Sequence, residues 1–185
     1  MKKYLLPLFL GVLSSILLFS CVRDTDFDQA EEVSLTPIVE LNLIHFNLDA
    51  GEFFDDVNGL PRLILTDTTE IRFLDDTETQ ESLLRADFQF LFTNSIARSF
   101  TTDFSFIDEQ GNPTYATTAD VAVGSLNQPV ETEFIEVVEG DQILELTQAN
   151  RVVVTVTIPS SNANLEGTLN LKSKTTYYLE IQERD

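Results

Sequence analysis

The sequence is poor in the residues that most often carry catalysis, metal binding and cross-linking. Its 185 residues include one cysteine, one histidine, one methionine and no tryptophan. A single cysteine cannot form an internal disulfide or a thiolate metal cluster, so we expect stability to come from an apolar core alone. A serine-histidine-aspartate triad would have to use His45, and no serine lies in a nucleophile-elbow pattern.

Basic residues are also scarce, because 11 lysines and arginines face 31 aspartates and glutamates, which gives a formal net charge of −20. This balance excludes a nucleic-acid binder held by phosphate contacts. It also excludes electrostatic adhesion to an anionic bilayer. The acidic surface favours solubility, cationic partners and Ca²⁺ as the one metal to consider, with no other cofactor expected.

Motifs for the common enzyme chemistries are missing as well. Neither G-x-S-x-G, H-E-x-x-H nor a phosphate-binding glycine loop occurs. Hydrolysis by two carboxylates stays open, since only geometry can select a pair from so many acids. We therefore expect a protein that is not an enzyme and that acts as a binding or accessory module, with a protein partner.

The first twenty-one residues form a distinct segment. Lys2 and Lys3 precede an apolar run over residues 4–18, and Leu-Phe-Ser-Cys closes it at Cys21. The run is shorter than the roughly 20 residues that a membrane-spanning helix needs and has the length of a signal peptide. This segment resembles the lipobox signal of bacterial lipoproteins.

The resemblance implies that residues 1–20 are a signal peptide and that Cys21 becomes the acylated amino terminus. Removal of Lys2 and Lys3 would change the net charge from −20 to −22. Two or more acyl chains anchor stably, at about 0.8 kcal/mol per buried CH₂. The expected location is the cell envelope, attached to the outer membrane through the lipid on Cys21.

Residues 21–35 read as a flexible acidic tether. Five acids in the eleven residues 22–32 leave too few apolar side chains for a core. The acidic stretch resembles the sorting signal of Bacteroidota surface lipoproteins, and its matching residues are Asp26, Phe27, Asp28, Glu31 and Glu32. The resemblance implies the outer face of the outer membrane, whereas a plain acidic spacer would leave the face undecided.

Residues 36–185 predict one all-β domain. Alternation with period two is clearest at Leu84, Ala86, Phe88, Phe90 and Phe92, and a second strand carries Phe100, Phe104 and Phe106. We interpret these two strands as a hairpin within an antiparallel β-sandwich. Immunoglobulin-like topology is the leading expectation and a lipocalin-like barrel is the alternative.

Other strands are predicted with their irregularities. Residues 38–48 change parity near Leu43 and Ile44, which predicts a β-bulge. Further strands are expected at residues 69–74, 143–146 and 152–158. The last two strands, 167–171 and 175–182, are expected to be joined by a turn at residues 172–174.

The best candidate for a metal site is Asp55, Asp56 and Asn58 before Gly59, because these side chains offer hard oxygen ligands in a turn. The alternative is a β-turn that uses Asn-Gly for its backbone angles. Three functions remain open: a binding or accessory module, a Ca²⁺-dependent binding module, and a lipocalin-like carrier of an apolar ligand.

Overall fold

The computed structural model describes residues 34–182, of which Leu35–Ile181 form one unit. The predicted signal peptide, Cys21 and the sorting residues Asp26, Phe27, Asp28, Glu31 and Glu32 lie outside the described residues. Within residues 34–182, no helix is long and apolar enough to cross a membrane.

Twelve strands and two short α-helices make up the described chain. The strands are β1 (Ser34–Leu35), β2 (Ile38–Asp49), β3 (Phe54–Asp55), β4 (Leu60–Pro61), β5 (Ile64–Glu70), β6 (Leu83–Asn94), β7 (Phe100–Ile107), β8 (Pro113–Val121), β9 (Val130–Glu139), β10 (Arg151–Thr157), β11 (Thr168–Leu179) and β12 (Ile181–Gln182). The helices are α1 (Thr77–Ser82) and α2 (Asp141–Leu146), and 3-10 turns cover Ala50–Phe53 and Arg72–Asp75.

Eight of the strands form two four-stranded antiparallel sheets. Sheet I has the order β2-β11-β6-β9, and sheet II has the order β5-β10-β7-β8. The sheets are not closed into a barrel. The predicted β-sandwich is therefore confirmed, and the lipocalin-like barrel is wrong.

The strand order is that of a jelly roll rather than of an immunoglobulin domain. The first of the eight long strands pairs with the last, the second with the seventh, the third with the sixth and the fourth with the fifth. This nested pairing is the double Greek key of a jelly roll. An immunoglobulin domain divides its strands into ABED and CFG sheets, so the expected topology is corrected while the sandwich stands.

Phenylalanine rings fill the space between the sheets. Phe88, Phe90 and Phe92 on β6 and Phe104 on β7 are completely buried. The ring of Phe90 stacks on that of Phe104, with centroids 4.0 Å apart. The two strands therefore face each other across the sandwich and do not pair as the predicted hairpin, because residues 95–99 cross from sheet I to sheet II.

Two bulges set which side chains face the core. Leu43 and Ile44 lie opposite the single residue Ser173, which confirms the predicted bulge. The Ser173 hydroxyl accepts from the Ile44 N–H at 2.9 Å and donates to its carbonyl at 2.7 Å. A second irregularity at the start of β6 buries Leu83 and exposes Leu84, opposite to the predicted parity.

Two predicted strands and one predicted turn differ from the structure. The predicted strand 69–74 ends at Glu70, because Arg72–Asp75 form a 3-10 turn, and the predicted strand 143–146 belongs to α2. Ile71 and Leu74, like Ile143 and Leu146, are buried at the three-residue spacing of helical turns. Residues 172–174 continue β11 and make no turn.

The strand registers define two ends of the sandwich. At the terminal end, the described chain begins and ends, beside α1, α2 and the turn at residues 108–112. The Leu179 N–H donates to the Pro37 carbonyl at 3.1 Å there. At the other end, which we call the loop end, residues 50–63, 95–99, 122–129 and 158–167 connect the strands.

Candidate functional site

The loop end carries exposed apolar side chains at both edges of the sandwich, because residues 50–63 join the edge strands β2 and β5 while residues 122–129 join the edge strands β8 and β9. Six large ones have exposed fractions of 40% to 92%: Val57, Leu60, Leu63, Ile64, Val123 and Leu126. Loops on a rigid scaffold are the usual carriers of binding function, and four of these exposed apolar side chains fall within residues 57–64, a grouping that indicates contact with another molecule. The loop end is therefore the candidate functional site.

A buried asparagine ties several of these loops together. Asn94 is completely buried at the end of β6. Its amide nitrogen donates to the carbonyls of Arg98 at 2.8 Å and Ala122 at 2.7 Å, and its amide oxygen accepts from the Ile96 N–H at 2.8 Å. Because all three bonds join the amide to loop backbone, Asn94 orders two connections at once.

Two glycines allow the loops to approach this region closely. A Cβ atom on Gly124 would lie 1.9 Å from the Asn94 carbonyl oxygen, and one on Gly167 would lie 2.6 Å from that of Ser95. Gly167 also has a φ of +111°, which only glycine adopts readily. The loop end is thus a packed platform rather than a set of independent loops.

The predicted metal residues lie on the β3–β4 hairpin at this end. Asp55 Oδ1 accepts from the N–H groups of Val57 at 3.0 Å and Asn58 at 3.2 Å, and Asp55 Oδ2 accepts from the Asn58 side-chain amide at 2.9 Å. These bonds, the side-chain amide first, lower the pKa of the Asp55 carboxyl. The same oxygens that would bind Ca²⁺ already close the turn.

A second turn at the opposite end uses the same arrangement. The Asp108 carboxylate accepts from the Asn112 N–H at 2.7 Å and from the Asn112 side-chain amide at 2.9 Å, which lowers its pKa. A glycine of positive φ completes each turn, Gly59 at +64° and Gly111 at +86°. Across residues 34–182, no group of three or more histidine, cysteine, aspartate or glutamate side chains could hold a metal ion.

An open acidic groove lies at the terminal end. Its volume is about 440 Å³, and its lining includes Glu70, Asp75, Glu109 and Arg151. The Arg151 guanidinium donates to the Asp108 carbonyl at 2.9 Å, so it supports the neighbouring turn. The three carboxylates belong to solvent-exposed residues. The groove could therefore attract a cation, but none of its carboxylates is shielded from water as a catalytic acid would be.

A polar seam closes one side of the sandwich. Glu136 on β9 accepts from the Tyr115 hydroxyl and, at 3.0 Å, from the Thr117 hydroxyl on β8. Burial, followed by the bond to Glu136, raises the pKa of Tyr115. Strands β9 and β8 belong to different sheets and do not pair through their backbones. The side chain of Glu136 therefore links sheet I to sheet II.

The site residues predicted from the sequence are only some of those that the structure places at the loop end. The pattern singled out Asp55, Asp56 and Asn58, and the structure places all three on the hairpin of the loop end. It gave no sign of Asn94, which resembled an ordinary turn residue. His45 lies exposed on the edge strand β2.

No family model matches this chain, and no curated protein matches it. Among solved structures, the chain is similar to the infectious bursal disease virus VP2 subviral particle, with a TM-score of 0.47, 11% identity, and coverage of 80% of this chain and 33% of that one. It is also similar to a predicted secreted protein from Parabacteroides distasonis ATCC 8503, with a TM-score of 0.44, 13% identity, and coverage of 66% and 38%.

The chain thus spans 33% and 38% of the length of these two structures. With TM-scores below 0.5, the similarities carry no activity or partner over to this chain. One neighbour is described as secreted and the other forms a viral particle, and these descriptions belong to those proteins.

Proposed function

We propose that this protein is a lipid-anchored component of the cell envelope whose β-sandwich is a non-enzymatic binding or accessory module. The observation that carries the proposal is the exposure of four large apolar side chains within eight residues of the loop end, Val57, Leu60, Leu63 and Ile64, with Val123 and Leu126 exposed at its other edge. In this proposal, a partner protein contacts that end.

The position of the chain termini supports an arrangement in which the loop end stays accessible. Cys21 precedes Ser34 by 13 residues (34 minus 21), and a chain of that length spans at most roughly 45 Å. The described chain begins at the terminal end, so a lipid on Cys21 would attach the sandwich there. The outer membrane is the proposed location, and the acidic stretch after Cys21 would favour its outer face.

The terminal groove gives little support to the enzyme alternative. Hydrolysis by two carboxylates needs one acid kept protonated by an apolar, water-poor environment. Glu70, Asp75 and Glu109 are exposed to solvent. In the described core, the rings of Phe90 and Phe104 stack at 4.0 Å across the sandwich, which leaves no room for a substrate between them. A carrier of apolar ligands would have to displace those same rings.

Two measurements in the native host test the proposal. Metabolic labelling with an alkyne fatty acid should mark the wild-type protein in the membrane fraction, and Cys21→Ser should abolish both the label and the membrane association. Photocrosslinkers placed over the loop end should give a discrete protein adduct. A wild-type protein that is unlabelled, or one that crosslinks to no protein from any loop-end position, would contradict the proposal.

A further inference from the structure

We propose that the surface formed by Val57, Leu60, Leu63 and Ile64, called here the hairpin surface, docks into an apolar recess with a lysine- and arginine-rich rim on a partner protein. The inference rests on the proposed binding function and names the chemistry of the partner. It concerns one side of the loop end and leaves the loop with Val123 and Leu126 outside the contact.

The hairpin surface carries four exposed apolar side chains that lie close together in the sequence. Four large side chains within eight residues have exposed fractions of 92% at Val57, 61% at Leu60, 40% at Leu63 and 60% at Ile64. Burying large apolar side chains removes apolar surface from water, which favours association. Complete burial of all four would therefore supply the apolar centre of a specific interface.

The hairpin is already ordered for binding. The Gly59 N–H donates to the Asp55 carbonyl at 2.8 Å, and the Arg62 N–H donates to the Phe53 carbonyl at 2.8 Å. Phe53 is completely buried, and its ring lies 5.4 Å from that of Phe100. Because the base of the hairpin is fixed in the core, a partner would lose little free energy in ordering it.

A partner is not expected to bind here by adding a β-strand to the edge of the sheet. The edge strand β5 follows the hairpin, but the Asp67 carboxylate accepts from the Thr68 N–H at 2.8 Å. Pro61 has no N–H to offer from β4. A charge on an edge strand and a proline are the devices that prevent strand addition, so side-chain docking is the mode that fits.

Charge around the surface selects the partner. In the sequence, Glu52, Asp55, Asp56 and Asp67 lie on either side of the apolar residues, and the cation between them, Arg62, lies 3.5 Å from Asp55. A net charge of −20 adds a repulsive field toward anionic bilayers. A second copy would bring the same acidic rim against itself. A basic rim on the partner complements these charges and would accelerate association.

The test uses full-length protein in its native host. Benzoylphenylalanine replaces Val57 or Leu60, and matched positions at Leu84 and Leu144, which are 53% and 66% exposed away from the loop end, serve as controls. The expected result is one protein adduct from positions 57 and 60 and none from the controls. The crosslinked protein is then identified, purified and titrated with the native protein.

Affinity measurements decide the chemistry of that contact. Leu60→Asp should weaken binding at least about tenfold, since it buries a charge in an apolar recess, while Leu84→Asp should leave the Kd unchanged. Raising salt from about 50 to 500 mM should weaken native binding severalfold through screening of the basic rim. Unchanged melting temperatures of both variants establish that the fold is intact.

Other outcomes overturn the inference in distinguishable ways. An adduct from position 126 but not from 57 or 60 would refute the hairpin surface and retain the proposed binding function. Sedimentation of the unlipidated Cys21→Ser protein with anionic phosphatidylglycerol vesicles, or a dimer in light scattering, would replace the partner by a bilayer or a second copy if Leu60→Asp abolished it. Salt-independent binding would refute the basic rim. No adduct from any loop-end position would remove both proposals.

Discussion

The start of β6 offers a direct test of whether its side chains follow the structure or a uniform inward–outward alternation. Leu83 and Leu84 are adjacent leucines in one strand, yet 4% of Leu83 and 53% of Leu84 is exposed. The register shift between Tyr178 and Leu179 on β11 places Leu83 opposite Leu179 and turns Leu84 outward. Uniform alternation along β6 would reverse the two roles.

The expected magnitudes follow from burial. Leu→Ala in a core costs about 2–5 kcal/mol, and substitutions of surface side chains usually stay within about 0.5 kcal/mol. Leu83 lies at the edge of the core, where the site can partly collapse, so we expect about 2–3 kcal/mol for Leu83→Ala. With about 2–4 °C per kcal/mol for a domain of this size, the two melting temperatures should differ by roughly 4–12 °C.

The assay is equilibrium unfolding in urea, monitored by circular dichroism. It compares Leu83→Ala, Leu84→Ala and the native sequence, each produced without the signal segment. The midpoint should fall clearly for Leu83→Ala and barely for Leu84→Ala, with equal urea dependence of the unfolding free energy. Equal losses in both variants, or a larger loss for Leu84→Ala, would refute the bulge and the inward position of Leu83.

Three further predictions concern the loop end, the seam and the turns. Asn94→Ala should lower the free energy of unfolding by about 2–4 kcal/mol, because it leaves buried backbone groups without partners, and hydrogen exchange should rise in the two loops that Asn94 joins. Glu136→Gln should cost less than Glu136→Ala in thermal melts, since the amide oxygen can still accept a bond from β8; equal losses would exclude the seam as a source of stability. The pKa values of Asp55 and Asp108 are lowered below the ordinary 3.8, so their stabilisation is complete above about pH 4 and is lost as pH falls through the folded-state values. The double Asp→Asn variant should therefore lose less stability than the native protein between about pH 4 and 2, and an identical acid melting curve would contradict this account.

The calcium hypothesis has an equally direct measurement. The Asp55 oxygens already accept bonds from Val57 and Asn58, so Ca²⁺ would have to displace them. We expect no heat in calorimetric titration with millimolar Ca²⁺ and no change in melting temperature. Saturable heat that Asp56→Asn abolishes would restore the metal site.

Much of the candidate site could not be found by pattern reading. The Asn-Gly turn was recognisable because its backbone requirement is local. Leu60, Leu63 and Ile64 have the composition of core residues, and only the tertiary structure leaves them exposed. Glu136 shares the inward face of β9 with Phe134, and only its neighbours on β8 make that position acceptable for a carboxylate.

The sequence by itself determined the class of the domain and which long strands bury aromatic faces. The spacing of Phe88, Phe90 and Phe92 predicts a half-buried strand, because side chains in a strand alternate between two faces. The parity change at Leu43 and Ile44 likewise marked a bulge, since a bulge shifts that alternation by one residue. These signals are local and need no knowledge of the partner strand.

Only the tertiary structure decided which strands pair and what the ends of the sandwich present. Ile38 pairs with Tyr178, although nearly all of the described sequence lies between them. Such a pairing depends on the burial of both sheets together, and a short stretch of sequence carries no information about it. Phe90 and Phe104 therefore belong to opposite sheets, although a short connection between their strands suggested a hairpin. The same long-range pairing gathers separate loops into the platform proposed to bind the partner.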